Sequence, residues 1–302
     1  MTLALRHLLG FQHLPKRTIS FLLNLAKQFK KSKNPPNSLQ GKTGVQLFFE
    51  PSTRTRISFE TAIRNLGGNV INFSSAQSSA IKGETLIDTA KTLTAIKGDY
   101  FIVRHPNSGA PHLLSQFLDR PIINAGDGTH EHPTQALLDL MTIEELTGKI
   151  EGLNVLIVGD IAHSRVARSN IYGLLAMGAK PTVCGPAPLI PKYIESLGAT
   201  VSHDLATSLP SADVVMMLRI QSERWQHFHT IPLKEYTHYY SLTLSLMQKA
   251  KPDVIIMHPG PLNRGIEIDP EVADHARSVI LNQVTNGIFA RMAVLHAIGG
   301  AV

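Results

Sequence analysis

The stretch Val45-Gln46-Leu47-Phe48-Phe49-Glu50-Pro51-Ser52-Thr53-Arg54-Thr55-Arg56-Ile57-Ser58-Phe59-Glu60 decides how the chain folds. Its apolar run over 45–49 reads as a strand that Pro51 breaks. Beyond it, Phe59, Ala62, Ile63 and Leu66 recur at helical spacing, and Gly67-Gly68 ends the helix. The first turn of that helix carries three hydroxyls (Ser52, Thr53, Thr55) and two guanidiniums (Arg54, Arg56). Backbone N–H groups at a helix start are unpaired and partly positive, so this turn has the outline of a phosphate cradle. Ser52 as a simple N-cap before a solvated turn is the plainer reading of the same residues. What favours the cradle is its company elsewhere in the chain.

Working outward, short apolar strands alternate with amphipathic helices. The spacing predicts strands over 45–49, 69–73, 100–104, 121–124, 154–158, 180–184, 213–218 and 253–257, with helices over 18–30, 85–96, 133–146 and 165–177. Such alternation implies an α/β fold with parallel sheets and right-handed crossovers. The pattern restarts after Gly148-Lys149-Ile150-Glu151-Gly152, which predicts two doubly wound parallel-sheet domains joined by the 133–146 helix as a bridge. Ile288, Met292 and Leu295 share one face of a closing helix over 286–297, which is expected to return to the first domain. The expected domains are 1–132 plus 286–302, and 133–285.

The 302 residues, 43% hydrophobic and 17% charged, have ordinary globular composition and can bury a core in each domain. No apolar run approaches the roughly 20 residues of a membrane span, and Met1 to His7 lack the pattern of a signal peptide. A single cysteine, Cys184, rules out an internal disulfide and fits a reducing, cytoplasmic setting. The net charge of +6 is compatible with nucleic acid, acidic lipid or a small anion. Cations are scattered apart from Lys27 to Lys33, and aromatics are only 6%, so neither a nucleic-acid surface nor a membrane surface is expected. A small anionic substrate is the reading that remains.

The second half opens Val155-Leu156-Ile157-Val158-Gly159-Asp160, like a nucleotide-binding unit, but the next glycine after Gly159 is Gly173. The dinucleotide fingerprint is therefore absent, and no cofactor is expected. Polar groups nonetheless gather where strands end. Arg104-His105-Pro106 closes one strand, and Gly126-Asp127-Gly128-Thr129-His130-Glu131-His132-Pro133-Thr134-Gln135 leads from another into the bridging helix. His130-Glu131-His132 lacks the H-E-x-x-H spacing and has no cysteine nearby, so no metal is expected there, and His132 reads better as a donor to a reacting carbonyl oxygen. Ser78 to Thr85 form a polar loop with one lysine, Lys82, which is also what a surface turn looks like. Arg219-Ile220-Gln221 and His258-Pro259-Gly260-Pro261 follow two further buried strands. No G-x-S-x-G elbow, activated cysteine or carboxylate pair is present. The cations Arg54, Arg104, Arg165 and Arg219 suit a transfer between two anionic molecules without covalent attack by the protein.

Ser52-Thr53-Arg54-Thr55-Arg56 together with His132-Pro133-Thr134-Gln135 resembles the carbamoyltransferases over essentially the whole chain. Arg219-Ile220-Gln221-Ser222-Glu223-Arg224 and His258-Pro259-Gly260-Pro261-Leu262-Asn263-Arg264-Gly265 resemble the branch of that family that uses aspartate. The His-Cys-Leu-Pro and Ser-Met-Gly motifs of the ornithine branch are missing. The resemblance implies transfer of the carbamoyl group of carbamoyl phosphate to the amino group of L-aspartate, an early step of pyrimidine synthesis. It also implies a carbamoyl-phosphate domain, an aspartate domain, and closure of the two around the substrates.

By that resemblance, Ser52, Thr53, Arg54, Thr55 and Arg104 would hold the phosphate, with Arg54 neutralising the leaving group. Thr55, Arg104 and a neutral His132 would donate to the carbonyl oxygen, with Gln135 near the amide. Arg165, Arg219 and Gln221 would clamp the aspartate carboxylates, while Gly260 and Pro261 would present backbone carbonyls to the reacting amino group beside carbamoyl phosphate. The family forms homotrimers in which a serine and a lysine enter the neighbouring site. Here these would be Ser78 and Lys82, with Ser79 an alternative to Ser78. The chain reads His-Pro-Gly-Pro-Leu-Asn-Arg-Gly where a common bacterial pattern reads His-Pro-Leu-Pro-Arg, and it has Arg168 where a histidine often stands. Both departures resemble members that lack a dedicated regulatory chain, leaving dihydroorotase or a regulatory chain as candidate partners. A different amine acceptor, or a non-catalytic scaffold, are the alternatives to be weighed.

Overall fold

The computed structural model describes residues 5–74, 84–221 and 231–300. Its contacts divide the chain into two units, Met1–Met141 with Val284–Val302, and Thr142–Gln283. The first contains α1 (Lys16–Lys31), β1 (Thr43–Phe48), α2 (Thr53–Asn65), β2 (Asn69–Ser74), α3 (Leu86–Ala95), β3 (Tyr100–His105), α4 (Ala110–Phe117) and β4 (Ile122–Asp127). Helix α5 (Pro133–Thr147) runs from the first unit into the second. There follow β5 (Asn154–Val158), α6 (Arg165–Ala176), β6 (Lys180–Cys184), β7 (Thr200–Ser202), α7 (Leu205–Ser208) and β8 (Val214–Met217). The chain continues through α8 (Leu233–Tyr240), α9 (Leu244–Met247), β9 (Ile255–Met257) and α10 (Pro270–Ala273). The last helix, α11 (Ile280–Leu295), carries the chain back to the first unit.

Each unit is a parallel sheet, as the alternation implied. The first has strand order β2-β1-β3-β4 and the second β7-β6-β5-β8-β9. Parallel strands must be covered on both faces, and β1 shows how the sequence does it. Val45 and Leu47 pack with Ala90, Phe101, Val103, Leu114 and Ile122, while Gln46 between them is also fully buried, on the other face. The core of the second unit likewise gathers Leu156, Val158, Val215, Met217, Tyr236 and Ile256. Burying a side chain of this kind contributes about 1.5–3 kcal/mol. Helix α1 buries Ile19, Leu22, Leu23, Ala26 and Phe29 at three- and four-residue spacing. It ends in Lys30 and Lys31, where cations suit the helix dipole. The Lys27-to-Lys33 run is therefore a helix end, with Lys30 Nζ donating to Asn286 Oδ1 at 2.8 Å.

Both units anchor their central strands with the same device. Asp99, just before β3, accepts from Thr43 N at 2.7 Å and donates its own N–H to Thr43 O at 2.9 Å. Asp213, just before β8, accepts from Asn154 N at 2.8 Å and donates to Asn154 O at 2.9 Å. Each aspartate thus sets the register of two neighbouring strands at their entry ends.

Strand ends differ modestly from the sequence expectation. β4 begins at Ile122 and continues through Gly126 to Asp127, because Gly126 adopts φ 113° and lets the strand bend. β7 spans three residues, too short to leave a periodic signal. Helix α4 is similarly masked by Pro111 in its first turn. Helix α11 starts at Ile280, not at 286, because the apolar Leu281 and Val284 of its first turns are exposed and do not join the buried stripe that begins further on.

Candidate active site

In an open parallel sheet, ligands bind outside the carboxyl ends of the strands where strand order reverses. In the first unit that point lies between β1 and β3. β1 leads into Glu50 to Thr55, and β3 ends in Arg104 and His105. Segments far apart in sequence are thereby placed side by side, with Phe48 paired to Arg104 in the sheet register.

Ser52 occupies the N-cap position of α2, but its side chain makes no capping hydrogen bond. Thr53 and Arg54 are exposed, and Thr55 is buried. The Arg104 guanidinium is held largely buried against Glu50, with Nε 3.5 Å from Oε2, and its Nη1 donates to Ala125 O at 3.3 Å. Beside it, burial holds the His105 imidazole pKa below its ordinary value, and its Nδ1 accepts from Asn107 N at 3.0 Å.

β4 brings the third component. His132 is only 4% exposed at the start of α5, and Gln135 is buried one turn on. The Gln135 side-chain amide donates to Asp139 Oδ1 at 2.9 Å, which turns its oxygen away as an acceptor. Arg291, wholly buried beneath the Phe59 ring at 5.0 Å, supplies a compensating charge to Asp139. Burial pushes the Arg291 pKa down to about 10.

His130 and Glu131, adjacent to His132, have other work. Glu131 accepts from Phe11 N at 2.7 Å and Gln12 N at 3.2 Å, tying down the segment before α1. Asp127 lies opposite His130 Nδ1 at 3.1 Å and also accepts from Gly109 N, Asn124 Nδ2 and Glu131 N. Burial alone would raise the Asp127 pKa, but the bonds from His130, Asn124 and Gly109 outweigh it and hold the carboxyl below its ordinary value.

In the second unit strand order reverses between β5 and β8. Arg165 is the first residue of α6 after β5, and Arg219 follows β8. Ser164 caps α6 by accepting from Ala167 N at 3.1 Å, and Arg165 is 8% exposed. Gly159, at φ 134°, brings the end of β5 against Leu218, whose backbone oxygen would lie 3.2 Å from any Cβ there. Gln221 Nε2 crosses this point to donate to His163 O at 3.1 Å. Buried Asp160 accepts from His163 N and faces His163 Nδ1 at 2.9 Å, which stiffens the turn.

The loop after β9 is similarly braced. Gly260, at φ 63°, donates its N–H to His258 Nδ1 at 2.7 Å. The His258 proton therefore sits on Nε2, which donates to the buried carboxylate of Glu267 at 3.1 Å. Glu267 also accepts from Asn263 N at 2.6 Å, and Asn263 Nδ2 donates to Ile220 O at 3.0 Å. Sequence reading singled out Gly260 and Pro261 but missed the bracing by His258, Asn263 and Glu267. Their only sequence signal is polar residues flanking a Gly-Pro pair. Ser78, Ser79, Lys82 and residues 222–230 lie outside the described residues. Cys184 is buried and its thiol pKa is pushed up to about 12 by burial, so it is no nucleophile.

The fold and its two rims define an α/β protein of two parallel-sheet units, each with guanidinium groups at its switch point. The chain belongs to the aspartate/ornithine carbamoyltransferase family. Residues 6–145 match the family's carbamoyl-P binding domain and 151–298 its Asp/Orn binding domain. An aspartate carbamoyltransferase catalytic subunit from Syntrophobacter fumaroxidans is 51% identical, over 97% of this chain and 98% of the relative. Among solved structures, ornithine carbamoyltransferase from Pyrococcus furiosus superposes with a TM-score of 0.89 at 31% identity, covering 100% of this chain and 99% of that one. Aspartate transcarbamoylase from Trypanosoma cruzi, in complex with carbamoyl phosphate and aspartate, superposes with 0.88 at 32% identity, covering 97% and 96%.

Proposed function

We propose that this chain transfers the carbamoyl group of carbamoyl phosphate to the amino group of L-aspartate, giving N-carbamoyl-L-aspartate and phosphate, an early step of pyrimidine synthesis. The observation that carries the choice of acceptor is the pair Arg165 and Arg219 flanking one switch point, with Gln221 tied to the His163 carbonyl just before α6. Two guanidiniums suit a dicarboxylate, whereas the cationic side chain of ornithine would be repelled. Structural likeness does not choose between these acceptors, since both enzymes share the fold.

In this reading the first unit holds carbamoyl phosphate. Ser52, Thr53, Arg54, Thr55 and Arg104 take the phosphate, and Thr55, Arg104 and His132 donate to the carbonyl oxygen. The Gln135 oxygen accepts from the carbamoyl amide. The second unit holds aspartate through Arg165, Arg219 and Gln221, and Gly260 and Pro261 direct carbonyls to its amine. The neutral amine attacks the carbamoyl carbon, and the new C–N bond produces a tetrahedral oxyanion. Donors placed in advance stabilise that charge. The C–O bond to phosphate then breaks, with Arg54 balancing the leaving group, and phosphate carries off the amine proton. No dedicated protein base is required, so the protein's work is positioning and charge stabilisation. Ser78 and Lys82 complete a neighbour's site in a homotrimer, and the buried lone thiol is in keeping with a cytoplasmic enzyme.

The purified chain should produce phosphate and carbamoyl-aspartate from carbamoyl phosphate and L-aspartate, and show no turnover with L-ornithine. Turnover with ornithine and not with aspartate would overturn the assignment.

A further inference from the structure

The β4–α5 turn and the first turn of α4 bring together three side chains that the transfer reaction does not use: His112, Asp127 and His130. Each offers one ligand atom, and these atoms lie within 4.8 Å of one another. The cluster is held before anything binds. Gly109 N donates to Asp127 Oδ2 at 2.7 Å, Asn124 Nδ2 and Glu131 N hold Oδ1, and Gly128 N donates to His105 O at 2.9 Å. The approach is close enough that a Cβ on Gly128 would lie 2.7 Å from Ser108 N. The two imidazoles meet edge to face, with ring centroids 5.5 Å apart. His112 Nδ1 is buried and makes no hydrogen bond among the described residues, an arrangement that normally calls for a partner.

We propose that His112, Asp127 and His130 form a binding site for one divalent transition-metal cation, best suited to Zn²⁺. Two borderline imidazoles, beside one hard carboxylate, favour zinc and its first-row neighbours over magnesium or calcium. His130 Nδ1 and Asp127 Oδ2 are 3.1 Å apart. That is close to the separation of about 3.3 Å between ligand atoms around a tetrahedral zinc with bonds of about 2.0–2.1 Å. A cation seated there takes the place of the proton between those two atoms, His130 binding as neutral imidazole with its hydrogen on Nε2. The fourth position is left to water. Such a cation would clamp the start of α4 to the turn that leads to His132. It is a site of regulation or stability, separate from the transfer chemistry.

The test uses the intact, chelator-treated chain with ZnCl₂ by calorimetry and with CoCl₂ by visible absorption. One cation per chain is expected, with the d–d bands of a tetrahedral cobalt centre and a raised melting temperature. His112→Ala and His130→Ala should each weaken binding by at least about tenfold and abolish the bands. His238→Ala, at an exposed histidine of α8, should change neither. His112→Cys, which restores a ligand, should recover binding and separate loss of the site from loss of the fold. Absence of the bands in the parent chain, or their persistence in either alanine variant, overturns the site.

Discussion

Arg54 stands exposed in the first turn of α2, where its removal leaves no cavity. Arg54→Ala should therefore melt like the parent while kcat falls by about 10²–10³, the usual consequence of removing one charge-stabilising donor. Parallel melting and initial-rate measurements check both halves of this expectation, and a large loss of stability would place Arg54 in the framework. Arg104 is a contrasting case. It is held against Glu50 and Ala125, so its substitution mixes catalysis with stability. The place of Arg54 in a first helical turn was legible because the strand, the proline break and the helical spacing around it are local patterns. The bracing of Gly260 by His258 was not, because a buried histidine gives no local sign of which carboxylate it will meet.

At the scale of elements, the entry ends of the strands supply stability and the exit ends carry the proposed site. Asp213 shows the first role. It accepts from Lys251 Nζ at 2.5 Å and from Asn154 N at 2.8 Å, far along β5 and β8 from their exits. Burial would raise its pKa, but those two bonds outweigh burial and hold it below the ordinary 3.8. A carboxyl depressed in the folded state stabilises fully above its unfolded pKa, and that contribution drains away as pH falls through the lower folded value. Asp213→Ala should cost about 1 kcal/mol near neutrality once solvent screening is allowed for. The difference from the parent should shrink in urea titrations carried out well below pH 3.8. KM for either substrate should not move. A gap that stays constant with pH would mean that Asp213 acts through packing and not through charge.

At the scale of the molecule, the proposed trimer makes a test of its own. Arg54→Ala and Lys82→Ala chains should each be nearly inactive. If active sites are shared, mixing them under conditions that exchange subunits should regain activity, because some sites then draw both intact residues from different chains. Light scattering should give a particle of three 33.0 kDa chains. A monomer, or mixtures that stay inactive while exchange is demonstrated, would count against shared sites.

The sequence by itself determined the local chemistry of this protein. Alternating strands and helices, hydroxyls and guanidiniums at a helix start, and polar residues after apolar runs are short-range patterns set by backbone geometry and hydrophobic periodicity. Only the tertiary structure decided the strand order in each sheet, since crossovers leave no mark on the residues they bring together. That order sets Phe48 beside Arg104 and places Arg165 and Arg219 on either side of one switch point. It likewise carries His112 to Asp127 and His130, a cluster assembled from two segments that no spacing rule connects.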